Sequence, residues 1–267
     1  MKALLDLAVP AITFLLLLAV GIDLAPADFA RVGRQQRVLA AGLLGPLLVL
    51  PPLALLLIAL ARPSSDLQAG LLLVAACPIG GISNTYSYLA GASTALSVTL
   101  TACSSLLAVV TIPVLALAFG AASGHRMELS VPLPLILAQL VLLLACPVTL
   151  GMWIRAARPA MAIRSRPFLR ALGFGGTAAL IGLIVASDPV AFANGLTKTV
   201  PLAGTFVAAS FLAGWLIGTA SRASRPDQFT LAAEFATRNI AVATALALSV
   251  SGRIEFAYFA TAYFQFT

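Results

Sequence analysis

Residues 77–90 read CPIGGISNTYSYLA and sit inside a long apolar stretch. Pro78 brings no backbone N–H, and Gly80 with Gly81 admits dihedrals that other residues avoid, so a helix running from about 67 to 90 should break here. The segment is long enough to span a bilayer, and at that depth freed carbonyls are tolerated only against protein or a water-lined cavity. Ser83 and Asn84 follow the break at once. On the next apolar segment Ser97 and Thr101 lie four residues apart, on one helical face.

Working outward, the whole chain shares this character. It has 267 residues, of which 61% are hydrophobic and only 9% charged, with a mean hydropathy of +1.04. A soluble domain is about 25% charged, and the acidic and basic residues here are too few to solvate a core of this length. A soluble enzyme is excluded, and the lipid bilayer is the main partner. Apolar segments fall at about 4–24, 38–61, 67–90, 92–118, 133–154, 170–187, 199–220 and 227–250, with a shorter one at 255–267. The reading is an all-α polytopic bundle, one transmembrane domain over residues 1–267 with about nine spans and an incomplete last helix. Breaks between segments carry Pro, Gly, Ser and charged residues, among them Arg62 to Asp66, Arg155 to Pro167 and Ser221 to Pro226. The first apolar run reads as a span rather than a signal peptide, because Asp6 and Pro10 interrupt it.

The net charge of +7 and pI near 10.0 do not point to nucleic acid, since the cations sort by side of the membrane. Lys2, Arg62, Arg126, Lys198 and Arg253 fall on one side; Arg31, Arg34, Arg37, Arg155, Arg158, Arg164, Arg166, Arg170, Arg222 and Arg225 fall on the other. The excess of Lys and Arg marks the cytoplasmic face of a multi-pass cell-membrane protein and puts the N-terminus outside. Arg238 alone lies within a span. Cys77, Cys103 and Cys146 have no metal-binding or disulfide spacing.

An ionisable residue inside a span is a functional candidate whose partner must be named. In LAAEFATRNIAVATALALS, Glu234 and Arg238 stand at i and i+4, so a continuous helix would pair them on one face. The adjacent Thr237 and Asn239 add more polarity than one ion pair needs, and suggest locally loosened helix lining a cavity. If this helix packs beside residues 77–105, the oxygens of Ser83, Asn84, Ser97, Thr101 and Glu234 converge. Hard oxygen donors with one carboxylate suit sodium. The bland alternative is a kink with hydroxyls bonded back to their own helices, and a purely structural ion pair; the spacing leaves both open. Broken helices in both halves of a chain, here 67–90 and 227–250, are the pattern of secondary transporters built from inverted repeats.

CPIGGISNTYSYLA followed by ALSVTLT resembles the crossing helix and next helix of the bile acid sodium symporter family, VGIDLAPADFARV resembles that family's early element, and AAEFATRNIAVATALA its later crossing motif. The resemblance runs along nearly the whole chain. It implies panel and core helices with two discontinuous crossing helices, and sodium-coupled symport of an amphipathic organic anion, a carboxylate or sulfonate. It implies Ser83, Asn84, Ser97, Thr101 and Glu234 as ligands of a first sodium, and Asn239 beside the substrate. At the family's second sodium site this chain departs: two glutamines are replaced by Arg238 and Pro46, neither of which offers a side-chain oxygen. Arg238 is therefore expected either to stand in for the second sodium, leaving one site, or to contact the anionic substrate.

Rival readings are an arsenite or oxyanion exporter of the same superfamily using Cys77, and a transport-dead sensory homologue locked by Arg238. Cys77 reads better as a small packing residue. No enzyme motif is present and His125 lies in a loop. No obligate protein partner is evident. Phe256, Tyr258, Phe259, Tyr263 and Phe264 read as packing or lipid-facing residues.

Overall fold

The computed structural model of the protein describes residues 2–24, 35–122, 133–187, 189–247, 255–264 and 266. Arg31, Arg34, His125, Arg126 and Arg253 lie outside these residues, as do the side chains of Lys2, Arg170, Lys198, Phe256, Tyr258 and Phe264. The described chain is an all-α membrane bundle. Its helices are α1 (Lys2–Asp23), α2 (Gln36–Ala61), α3 (Ser65–Ala76), α4 (Ile82–Leu89), α5 (Thr94–Ala122) and α6 (Leu133–Leu140). A π-helical turn (Val141–Ala145) follows, then α7 (Cys146–Ala157), α8 (Pro159–Ser187), α9 (Pro189–Ala220), α10 (Arg225–Ala236), α11 (Ile240–Leu246) and α12 (Glu255–Phe264).

Four helical stretches, Gln36–Ala61, Thr94–Phe119, Leu137–Ala157 and Thr199–Ala220, are each long and apolar enough to cross a membrane. Their outer faces show what surrounds them. Leu44, Leu48, Leu55, Leu56 and Leu60 of α2 and Leu107, Val110, Val114 and Leu117 of α5 are exposed, spaced three or four residues apart for the most part. Continuous apolar stripes of this size are untenable in water and fit a lipid-facing wall.

Prolines explain the irregular helices. Pro147 lacks the N–H that would bond the carbonyl of Leu143, and the π-turn sits where that bond is missing. Pro46, Pro51 and Pro52 all lie inside α2, tolerable where neighbouring helices satisfy the freed groups. One boundary differs from expectation. Residues 155–167 were expected to be a loop, yet only Arg158 interrupts the chain between α7 and α8, with φ −139° and ψ 68°. Pro159 opens α8 as a first-turn proline, where no N–H is needed.

Helix α1 packs on α7 and α8, forming one group. A second group surrounds the two broken helices: α9 packs along α10 and α2, α12 against α3 and α9, and α5 against α4 and α10. The α9–α10 approach is close because Gly214 faces α10: a Cβ there would lie 2.7 Å from the Leu231 carbonyl oxygen. A single apolar cluster joins the groups, including Leu17 and Val20 of α1, Val148 of α7, Phe206 of α9 and Phe259 and Tyr263 of α12. Phe259 and Tyr263 are thus packing residues, their rings stacked 6.4 Å apart.

Both expected breaks are present, and they meet. Between α3 and α4 the chain unwinds over residues 77–81, and between α10 and α11 over 237–239. The two stretches cross antiparallel through an isolated bridge between Ile79 and Arg238. Gly80 N–H donates to the Thr237 carbonyl at 3.0 Å, and Asn239 N–H to the Pro78 carbonyl at 2.8 Å. Ile79 N–H donates to Ser104 Oγ on α5 at 3.1 Å. The Tyr263 hydroxyl of α12 donates to the carbonyl of Ala236, the last residue of α10. Backbone groups freed by the breaks therefore find partners inside the protein, the condition for irregular chain at membrane depth.

Glycine at position 80 is a requirement of this crossing, since a Cβ would lie 2.7 Å from the Arg238 carbonyl oxygen and 3.0 Å from its carbon. Gly80→Ala is expected to cost about 1–3 kcal/mol, read as a fall in the unfolding temperature of detergent-purified protein. Gly175→Ala, with nothing within 4 Å of the added carbon, is the matched control and should not lower it.

Candidate functional site

The crossing places three helices around one carboxylate. Ser83 and Asn84 lie in the first turn of α4, Ser97 and Thr101 one turn apart on α5, and Glu234 near the end of α10. All five are buried, Glu234 completely. Ser97 Oγ contacts Glu234 Oε1 and lies 2.7 Å from Asn84 Oδ1. Thr101 Oγ1 lies 3.3 Å from Glu234 Oε2 and 3.2 Å from Asn84 Oδ1. The Ser83 hydroxyl also reaches the carboxylate and donates to the Gly80 carbonyl at 2.9 Å. The five residues named from the sequence are thus brought together.

The proton count of this cluster matters more than its distances. Ser97 and Thr101 carry one hydroxyl hydrogen each, yet each faces two acceptors, the amide oxygen of Asn84 and an oxygen of Glu234. The Ser83 hydrogen is directed at Gly80. Oxygens therefore outnumber the hydrogens that can be shared among them. Close-packed oxygens in excess of protons, around a carboxylate and away from water, are what a small hard cation satisfies. Among the described residues no group of three or more His, Cys, Asp or Glu gathers anywhere, so the donor chemistry is not that of a transition metal.

Arg238 departs from the expected geometry. The i, i+4 pairing with Glu234 assumed a continuous helix, but α10 ends at Ala236 and Arg238 lies in the unwound stretch, in extended pairing with Ile79. Its Nη2 donates to the Cys77 carbonyl, and its Nε and Nη1 are buried without a hydrogen-bond partner. Among the described residues the one ion pair within 4 Å is Arg166 with Asp23, not Arg238 with Glu234. The guanidinium borders a cavity of about 10 Å³ that includes Gly42, Pro46, Cys77, Ser104 and Thr111. Pro46 and Arg238, matched separately from the sequence to one departed site, therefore face the same small space. Cys77 itself is fully buried in the apolar cluster, as a packing residue.

On the other side of the crossing lies a larger cavity of about 60 Å³, between α1 and the two breaks. Asp23, Gly81, Asn84, Thr85, Arg238 and Asn239 are among its lining residues. Asn239 Oδ1 caps α11 by accepting from Val242 N–H at 3.1 Å, which leaves its amide hydrogens for the cavity. Asp23 was not singled out in the sequence. It ends α1 and pairs with Arg166 of α8, Nε to Oδ1 at 2.5 Å, and that pair closes its charge. The only sequence signal was an acid within VGIDLAP and a basic cluster assigned wholesale to loops. The capping role of Tyr263 was likewise unread. Asn84 is shared by both places, since its side chain touches the oxygen cluster and also borders the cavity.

The sequence pattern described as the Sodium Bile acid symporter family matches residues 10–194. A probable chloroplastic sodium/metabolite cotransporter of Oryza sativa subsp. japonica, BASS2, is 36% identical over 100 residues, covering 38% of this chain and 24% of that protein. An uncharacterized sodium-dependent transporter of Bacillus subtilis (strain 168), YocS, is 31% identical over 105 residues, covering 39% of this chain and 33% of its own length. The matches thus span about a quarter and a third of these relatives. With a family match over more than half its residues, on an all-α membrane bundle, the chain belongs to the sodium bile acid symporter family, a family of transporters and not of enzymes.

Proposed function

We propose that the protein is a sodium-coupled symporter of an amphipathic organic anion, a carboxylate or sulfonate, that carries one sodium at Glu234. The observation that carries this reading is the buried oxygen cluster with more acceptors than protons. Ser83, Asn84, Ser97, Thr101 and Glu234 are its sodium ligands. They come from α4, α5 and α10, so an ion bound among them ties both broken helices to α5 and fixes the shape of the crossing.

The anion's headgroup is assigned to the cavity bordered by Asn239 and Arg238. A volume of about 60 Å³ is small against the roughly 300–1,000 Å³ of ordinary ligand sites; it takes a headgroup, and the apolar body needs the space between α1 and the crossing to open. Asn84 supplies the link between the two cargoes: the sodium that orients its amide oxygen also orients a wall of the anion cavity.

Arg238 fills the place of a second ion. A guanidinium anchored on the Cys77 carbonyl, against Pro46, is a fixed cation where no side-chain oxygen is offered. One domain with inverted repeats in its two halves, each contributing one break to the crossing, and an N-terminus outside the cell membrane complete the reading.

Saturating sodium at matched ionic strength against potassium is expected to stabilise the purified protein by about 1–3 kcal/mol, measured by thermal unfolding in detergent. Glu234→Gln should abolish that difference. Ser97→Ala and Thr101→Val should each raise the sodium concentration needed for half the effect. A sodium response that survives in Glu234→Gln would place the ion elsewhere and overturn the assignment. In reconstituted vesicles, sodium-driven uptake should follow sodium with a Hill slope near one; a slope near two would defeat the single site.

A further inference from the structure

We propose that Arg238 sets the charge of the cargo: the protein moves one sodium with one monovalent organic anion, electroneutrally, and takes sodium well only together with the anion. The inference rests on reading the Glu234 cluster as the sodium site. It adds the valence of the substrate, the electrical character of the cycle and the order of coupling.

Few fixed charges lie at the crossing. Among the described residues, the ionisable side chains of the two cavities and the oxygen cluster, thiols and phenols aside, are Asp23, Glu234 and Arg238. Asp23 is already neutralised by Arg166. Glu234 is fully buried and Arg238 nearly so, and a guanidinium does not give up its proton in a protein. With Glu234 ionised, the fixed charges at the crossing therefore sum to zero without cargo.

A net charge held in a buried, low-dielectric place is costly, and the cost is met only by a partner. A transporter must pass its binding region through the barrier both empty and loaded. With fixed charges summing to zero, both passages are neutral only when the cargo is neutral, which one sodium and one monovalent anion provide. Two sodium ions with a monovalent anion leave one positive charge; one sodium with a divalent anion leaves one negative charge. Arg238 thereby selects monocarboxylates or monosulfonates over dianions.

Sodium binding alone is also affected. It spends the Glu234 charge on the ion and leaves Arg238, with Nε and Nη1 unpartnered, as an uncompensated buried cation. The guanidinium keeps a complete two-pronged face for an anion or its bridging group. Each of its two forks uses one hydrogen of Nη2, and the Cys77 carbonyl engages that nitrogen only once. A monovalent anion restores neutrality, so each cargo raises the affinity for the other by the same factor.

The test uses the purified chain in detergent and in proteoliposomes, with an acetate-to-hexanoate mixture as the monovalent probe and a succinate–glutarate mixture as the divalent one. Radioactive sodium uptake by the parent should be stimulated by the monocarboxylates and not the dicarboxylates. It should be unchanged when a potassium gradient with valinomycin sets the membrane potential negative or positive inside. Arg238→Gln should raise the sodium Hill slope toward two and make uptake grow with an inside-negative potential. In detergent with sulfate, a dianion, as the only anion, the sodium needed for half-maximal thermal stabilisation should fall about tenfold in Arg238→Gln. Arg238→Lys keeps the charge and should keep the voltage insensitivity, whatever its rate, which guards against a folding defect in the glutamine variant. Potential-driven uptake in the parent, equal sodium affinity in parent and Arg238→Gln, or equal stimulation by dicarboxylates would overturn the inference while leaving the sodium site standing. No sodium response in any variant would overturn the site and the inference together.

Discussion

The structure depends on one short antiparallel contact, the crossing of residues 77–81 with residues 237–239. Two helices that stop in the middle of a membrane each leave unpaired donors and acceptors, and in hydrocarbon each such group costs several kcal/mol. Crossing solves both problems at once. Gly80 N–H finds the Thr237 carbonyl and Asn239 N–H finds the Pro78 carbonyl. What the pair cannot satisfy is taken up by neighbours: Ser104 accepts from Ile79, Arg238 serves the Cys77 carbonyl and Tyr263 the Ala236 carbonyl. Helices α5, α9 and α12 are arranged around that contact, and the residues that must be small, Gly80 and Gly214, are small because backbones approach there.

The same crossing creates the chemistry. An intact helix presents no free backbone ends and no sudden change of direction. A broken one can set Ser83 and Asn84 at the start of a new helix, facing Glu234 near the end of another, with α5 supplying two hydroxyls from one face. A carboxylate at the buried meeting point of three helices is held by neutral oxygens alone. Their shortage of protons is what the proposed sodium would make good. Asn84 belongs both to that set and to the cavity beside α1, so the shape of one place is not independent of the other.

Much of this was legible in the sequence, for reasons that can be named. The lipid-facing walls follow from long apolar runs such as residues 38–61 and 92–118, and the breaks from Pro78 with its glycines and from the polar cluster at Thr237 to Asn239. Ser83 and Asn84 were readable because they follow a break, Ser97 and Thr101 because they lie four apart on one helical face, and Glu234 because it is a lone carboxylate within a span; the resemblance grouped them as one set. Legibility ended where a rule was extended across an irregularity. Glu234 and Arg238 are four apart, but that spacing means a shared face only on a continuous helix, and the chain is unwound between them. The stretch from Arg155 to Pro167 reads as a break because it is rich in Arg and Pro, although proline equally opens a helix, as Pro159 does. Contacts between distant segments, such as Asp23 with Arg166 or Tyr263 with Ala236, leave no local trace, because nothing in residues near 23 states which helix will pack there.

The proposed replacement of a mobile cation by the fixed Arg238 would alter the energetics of the whole cycle. A carrier that moves two sodium ions with one monovalent anion draws on the square of the sodium gradient and on the membrane potential. Under the proposed one-to-one cargo, with Arg238 in the second ion's place, the potential would do no work and the gradient would enter once, so a tenfold sodium gradient would concentrate the anion at most tenfold, about 1.4 kcal/mol. Concentrating power would fall on that proposal, and in exchange the flux would be independent of voltage. The arginine also serves the fold, because its Nη2 satisfies a carbonyl that the break at Pro78 sets free. A sodium ion in that place would leave with the cargo, whereas a guanidinium stays, so this half of the crossing remains intact whether or not anything is bound.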